Sequence, residues 1–117
     1  MSTAENNHRI DYIEFPVLDL ARTKEFYGRL LGWRFEDYGP DYASFHDGRL
    51  AGGFYTSEKV QPGGALVVIY VSDIEAAKRK AQELGAAITR DIFDFPGGRR
   101  FQFLDPSGHE LSFWTNP

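Results

Sequence analysis

One short pattern occurs twice in this chain, and its recurrence constrains the fold more than any other feature. Val17-Leu18-Asp19-Leu20 returns as Val71-Ser72-Asp73-Ile74, Lys24 and Leu30 are matched by Lys78 and Leu84, and Gly32 is answered by Gly85. Such a repeat is one supersecondary unit copied, so whatever either half says about its fold binds the other half too. Ahead of the first copy, Ile13, Phe15 and Val17 alternate with Tyr12, Glu14 and Pro16, the period-2 signature of a strand with one apolar face. Asp19 breaks the alternation. Its short carboxylate suits the orphan N–H groups of a helix that begins at Leu20. Val67, Ile69 and Val71 fall in step with Ile13, Phe15 and Val17, so a second strand feeds a second capped helix at Ile74.

The first helix is predicted over residues 20–31, with Leu20, Phe26, Tyr27, Leu30 and Leu31 on its buried side and Gly32 as its stop. Residues 33–36 read as extended, Tyr38-Gly39-Pro40-Asp41 as a turn, 42–46 as a strand, Asp47-Gly48 as a hairpin and 50–55 as a strand. The order is β-α-β-β-β. Residues 56–64 are polar and end in Pro62-Gly63-Gly64, which marks a connector. In the second half, 66–71 is a strand and 74–84 a helix with Ile74, Ala77, Ala81 and Leu84 on one stripe. A turn at 94–98, a strand over 99–104, a turn at 105–108 and a strand over 109–115 complete it. The predicted organisation is a disordered tail over 1–9 and a single α+β domain over 10–115, with module one at about 10–55, the connector at 56–64 and module two at about 65–115.

Composition narrows the function. A chain of 117 residues is sized for one domain with an ordinary core. The formal net charge of −4 and the absence of a basic stripe argue against nucleic acid, since Lys78-Arg79-Lys80 reads as the solvated face of the second helix. With no cysteine, thiolate metal sites and thiol nucleophiles are excluded together. No apolar run approaches the roughly 20 residues that span a bilayer, and residues 1–9 are too polar for a signal peptide. The expectation is a cytoplasmic protein with no membrane partner. An aromatic content of 15% is enough to line a pocket as well as a core.

Phe26-Tyr27 and Leu30-Leu31-Gly32-Trp33 in the first module, with Phe103-Leu104-Asp105-Pro106-Ser107-Gly108-His109-Glu110-Leu111 in the second, resemble the vicinal oxygen chelate superfamily. That group holds glyoxalase I, fosfomycin-resistance enzymes, extradiol dioxygenases and bleomycin-resistance proteins. The resemblance implies that the modules curl into a cupped eight-stranded mixed sheet with helices outside and a small-molecule ligand in the hollow. It also implies a two-fold homodimer, module one of each chain facing module two of its partner. If Ile13, Phe15, Val17, Val67, Ile69, Val71, Phe101, Phe103, Leu111 and Phe113 face the helices, alternation gives the cup Tyr12, Glu14, Leu66, Val68 and Tyr70. Arg100, Gln102, Glu110, Ser112 and Trp114 join them, followed by Tyr42, Ser44, His46, Leu50, Gly52 and Phe54.

In metal-dependent members the resemblance places ligands at positions that here hold Tyr12, Gly52, Leu66 and Ser112. None supplies imidazole or carboxylate. No metal or other cofactor is therefore expected, and the fallback site for a divalent metal is His46 with Glu14 and Glu110. Tyr12, Phe54, Tyr70 and Trp114 would wall the cup for a flat ligand, with Gln102 and Ser112 as polar lining. Arg100 would fork onto an anionic group. Glu14, a carboxylate in mid-strand, would act as an acceptor or general base for the ligand, or pair with Arg100 or Arg99. The reading is a metal-independent binder of a small, partly aromatic or anionic ligand. The alternative is a lyase, isomerase or dioxygenase-like enzyme using Glu14 as acid or base or the unconventional metal set. A cup filled by its own side chains would instead mark an interaction module.

Overall fold

A computed structural model describes residues 7–117. The element order is β1 (Tyr12–Val17), α1 (Leu20–Leu31), β2 (Arg34–Asp37), β3 (Tyr42–His46), β4 (Ala51–Thr56), β5 (Val67–Tyr70), α2 (Ile74–Glu83), β6 (Ala87–Phe95), β7 (Gly98–Leu104) and β8 (Glu110–Thr115). Two compact units meet between Lys59 and Val60, inside the connector predicted from composition. The predicted tail over 1–9 falls mostly outside the described residues.

Each unit is a four-stranded mixed sheet with one helix, which makes the α+β class and the β-α-β-β-β order plain. The strand order is β1-β4-β3-β2 in the first and β5-β8-β7-β6 in the second. In both, the strand entering the helix lies parallel to the last strand of its unit and the other pairings are antiparallel. The helices start where the sequence says they must. Asp19 and Asp73 are extended N-caps whose carboxylates accept from Arg22 N and Ala76 N, each at 3.0 Å. Gly32 closes α1 in the left-handed region at φ 72°, where a side chain is penalised, and its N–H donates to the Gly28 carbonyl. The duplication reaches the side chains: Lys24 pairs with Asp37 at 2.7 Å, and Lys78, its counterpart, with Asp91 at 2.5 Å.

The core of the first unit is aromatic. Phe54 stacks on Tyr27 (5.5 Å between centroids) and Phe45 (4.8 Å), and Trp33 lies between Tyr27 and Phe45 at 4.8 and 4.6 Å. In the second, Phe113 meets Phe101 and Phe103 at 5.6 and 4.9 Å, and α2 packs on β7 and β8 through Ile74 and Ala81. Each large apolar side chain buried this way contributes about 1.5–3 kcal/mol. On α1, Leu20, Phe26, Tyr27 and Leu30 are buried as predicted, joined by Thr23, whose hydroxyl donates to the Asp19 carbonyl; Leu31 is only half-buried.

The main departure from the sequence reading is β6. Residues before 94 had no strand assigned, and 94–98 read as a turn, yet Ala87–Phe95 is a nine-residue strand paired with β7. Two register shifts, between Ile88 and Arg90 and between Arg90 and Phe93, break its alternation and erase the period-2 signal.

Candidate functional site

In the first unit, the sheet face turned away from the core carries Tyr12 and Glu14 from β1, Gly53 and Tyr55 from β4, and Tyr42, Ser44 and His46 from β3. Three of these side chains join. Tyr42 donates to Glu14 Oε2 at 2.7 Å, and the Tyr12 and Tyr42 hydroxyls lie 2.6 Å apart. The group sits over Gly53, where an added Cβ would run into the Tyr42 hydroxyl and come within 2.9 Å of that of Tyr12. Burial first, then the hydrogen bonds with Tyr12 and Glu14, push the Tyr42 phenol well above its ordinary pKa. Tyr12 is 42% exposed and Glu14 is exposed, so an incoming molecule can reach both.

This face corrects part of the sequence assignment. Phe54, predicted to wall the ligand site, is 1% exposed and belongs to the aromatic core under α1. Gly52 shares that side, since an added Cβ there would strike the Phe45 ring and the Ile13 carbonyl. The cause is arithmetic. His46 pairs with Ala51 across the turn, so even-numbered residues of β3 lie opposite odd-numbered residues of β4, and Gly53 and Tyr55 take the places given to Gly52 and Phe54. Leu50 falls in the turn itself, where Asp47 Oδ1 accepts from Arg49 N and Leu50 N.

In the second unit, the equivalent face brings together Val68, Tyr70, Arg100, Gln102, Ser112 and Trp114, with Arg90 and Phe93 from β6. Arg100 donates to Gln102 Oε1 at 2.8 Å, and Gln102 Nε2 donates to Glu110 Oε2 at 3.0 Å, which also accepts from Thr89 Oγ1 at 2.6 Å. The Thr89 bond first, then that from Gln102, hold the Glu110 carboxyl below its usual range. The Arg100 guanidinium lies 5.3 Å from the Phe93 centroid and 5.9 Å from that of Phe95, within cation–π range. Its Nε is buried with no hydrogen-bond partner among the described residues. Tyr70 meets Trp114 edge-on at 5.3 Å and is 51% exposed.

Ser112 is fully buried, and its hydroxyl donates to the Phe101 carbonyl at 3.0 Å. Leu66 lies just before β5. Sequence reasoning named Tyr12, Glu14, Arg100, Gln102 and Trp114 but missed Phe93 and Thr89, because β6 carries no alternation, and missed the use made of Gly53.

The family positions for metal thus hold a phenol, a glycine on the core side, an aliphatic chain and a hydroxyl already bonded to backbone, a set that does not fit zinc, iron or manganese. His46 is exposed beside its turn and Glu110 is bound by Thr89 and Gln102. Among the described residues, no three His, Asp or Glu side chains gather as a metal site; of the fallback trio, His46 and Glu14 lie in the first unit and Glu110 in the second.

Comparison with known proteins agrees with this architecture. A curated relative, the anthracycline biosynthesis protein DauV of Streptomyces sp. (strain C5), is 32% identical over 110 residues, 88% of this chain. The chain spans about two fifths of that relative's length (40%). Among solved structures, a glyoxalase-related enzyme from Fulvimarina pelagi superposes with a TM-score of 0.80 at 19% identity, covering 94% of this chain and 89% of that one. A mutant of the fosfomycin resistance protein FosX from Listeria monocytogenes, complexed with Mn(II) and 1S,2S-dihydroxypropylphosphonic acid, gives 0.83 at 15% identity, covering 94% and 91%. The family described as Glyoxalase/Bleomycin resistance protein/Dioxygenase superfamily matches residues 9–113, and the chain belongs to it.

Proposed function

We propose that this protein binds a small, partly aromatic, anionic ligand and does so without the metal used by metal-dependent members of its family. The observation that carries the reading is Arg100. A guanidinium set beside Phe93 and Phe95, tied through Gln102 to Glu110 and with a buried Nε left unpaired, is an anchored cation next to aromatic surface. Trp114 and Tyr70 supply flat surface beside it. The name of the 32%-identical relative places that protein in anthracycline biosynthesis, a chemistry of fused aromatic rings, which supports an aromatic ligand here. The donor set at the family metal positions supports metal independence. By family resemblance, the protein acts as a homodimer.

The test is calorimetric titration with 6-hydroxynaphthalene-2-sulfonate and with 2-naphthol, which lacks the anion. The sulfonate binds more tightly, and Arg100→Gln weakens it about tenfold or more, the loss of one charge-assisted hydrogen bond, while 2-naphthol is little affected. Equal binding of the sulfonate by wild type and Arg100→Gln contradicts the assignment.

A further inference from the structure

A phenol carries one proton, and that of Tyr42 is committed to the Glu14 carboxylate at 2.7 Å. The 2.6 Å contact between the Tyr12 and Tyr42 oxygens also needs a proton, and Tyr12 is left to supply it. The chain therefore has a direction, from Tyr12 through Tyr42 to Glu14. It ends outward at the Tyr12 oxygen, which keeps lone pairs and has no proton to give. The other oxygen of Glu14 likewise only accepts. Every polar terminus of the cluster is thus an acceptor, presented at an exposed tyrosine and an exposed carboxylate.

We propose that the Tyr12–Tyr42–Glu14 cluster selects ligands bearing a hydrogen-bond donor, an aromatic or alcoholic hydroxyl or a protonated amine, and discriminates against the same ligand with that group methylated or missing. The proposal concerns the first unit's face alone and goes beyond the ligand-binding reading above, whose carrying observation is Arg100 of the second unit. A site built to accept from a donor rejects an analogue that lacks it, because its acceptors give up water and receive nothing. Gly53 belongs to the device. Only a residue without a side chain lets the Tyr42 ring cross β4 to meet β1 residues. The upward shift of Tyr42, caused first by burial, keeps its proton in place through the neutral range.

The test compares three neutral probes by calorimetry: 2-naphthol, its methyl ether 2-methoxynaphthalene, and naphthalene. The hydroxyl probe binds about five- to tenfold more tightly than either of the others, the value of one hydrogen bond. Tyr42→Phe frees the Tyr12 proton, so Tyr12 becomes able to donate to the ether, and the preference over the methoxy probe falls to about twofold or less on the same scale. Gly53→Ala, which displaces both phenols and removes neither, erases it too, and an unchanged circular dichroism spectrum shows that each variant remains folded. If wild type binds all three probes equally, this proposal fails while the binding reading stands. A preference unchanged in Tyr12→Phe and Tyr42→Phe also overturns it. If none of the probes binds, this proposal falls, and the sulfonate titration above decides the binding reading separately.

Discussion

Tyr42 stands two strands from Glu14, with β4 between them, and reaches it because position 53 has no side chain. That contact was not legible in the sequence. Alternation placed Tyr12, Glu14 and Tyr42 on one face, but the neighbour relation requires the order β1-β4-β3, which no local pattern encodes. The failure at Phe54 is of the same kind, since carrying even numbers across a turn that pairs even with odd moves every residue of β4 to the wrong side. The Tyr42 hydroxyl yields a prediction in alkali. Its pKa is raised in the folded protein, so the folded state holds this proton to higher pH than the unfolded chain does. The stability it contributes is complete below the unfolded phenol value of about 10 and is lost as pH rises above it. In an ultraviolet absorbance titration, Tyr42→Phe removes the absorbance change of one tyrosine from above the ordinary phenol range. If the absorbance change lost in Tyr42→Phe lies at the ordinary phenol value, the hydrogen-bonded placement of Tyr42 is wrong.

At the scale of elements, the caps were the most legible feature, because an N-cap is a local chemical requirement that a single residue meets. Asp19 and Asp73 satisfy the same need at the same place in two copies, and the copies agree down to the Lys24 and Lys78 ion pairs. β6 was illegible for the opposite reason, as its pairing with β7 tolerates two register shifts that no alternation survives. With β6 unseen, Thr89 and Phe93 could not be placed beside Glu110 and Arg100. The two kinds of helix contact separate in energy. Asp19→Ala and Asp73→Ala each lower stability by about 1 kcal/mol, the worth of an N-cap. Lys24→Ala and Lys78→Ala cost less, about 0.5 kcal/mol or under, because their partners are exposed and screened. Urea unfolding of the four variants at unchanged slope checks the order. Lysine variants that destabilise more than the cap variants would contradict it.

For the molecule as a whole, the internal repeat carried the fold and the paired motifs carried the family, and the match over residues 9–113 agrees with both. Function was less legible, since one family architecture accommodates isomerases, oxygenases and binders, and only the side chains on the sheet faces turned away from the helices distinguish them. In this chain those faces present a phenol relay over Gly53 and an arginine held against aromatic rings. Among the described residues, neither gathers three His, Asp or Glu side chains. The most direct measurement is therefore the affinity and stoichiometry of 6-hydroxynaphthalene-2-sulfonate for protein stripped with a chelator, and for the same protein after loading with zinc or manganese and desalting. Saturable binding of one probe per chain, with the same affinity in all three samples and less than one retained ion per chain by elemental analysis, is the result predicted. Binding that appears only in the loaded samples, with one ion retained per chain, would show that metal holds the ligand and would contradict the account.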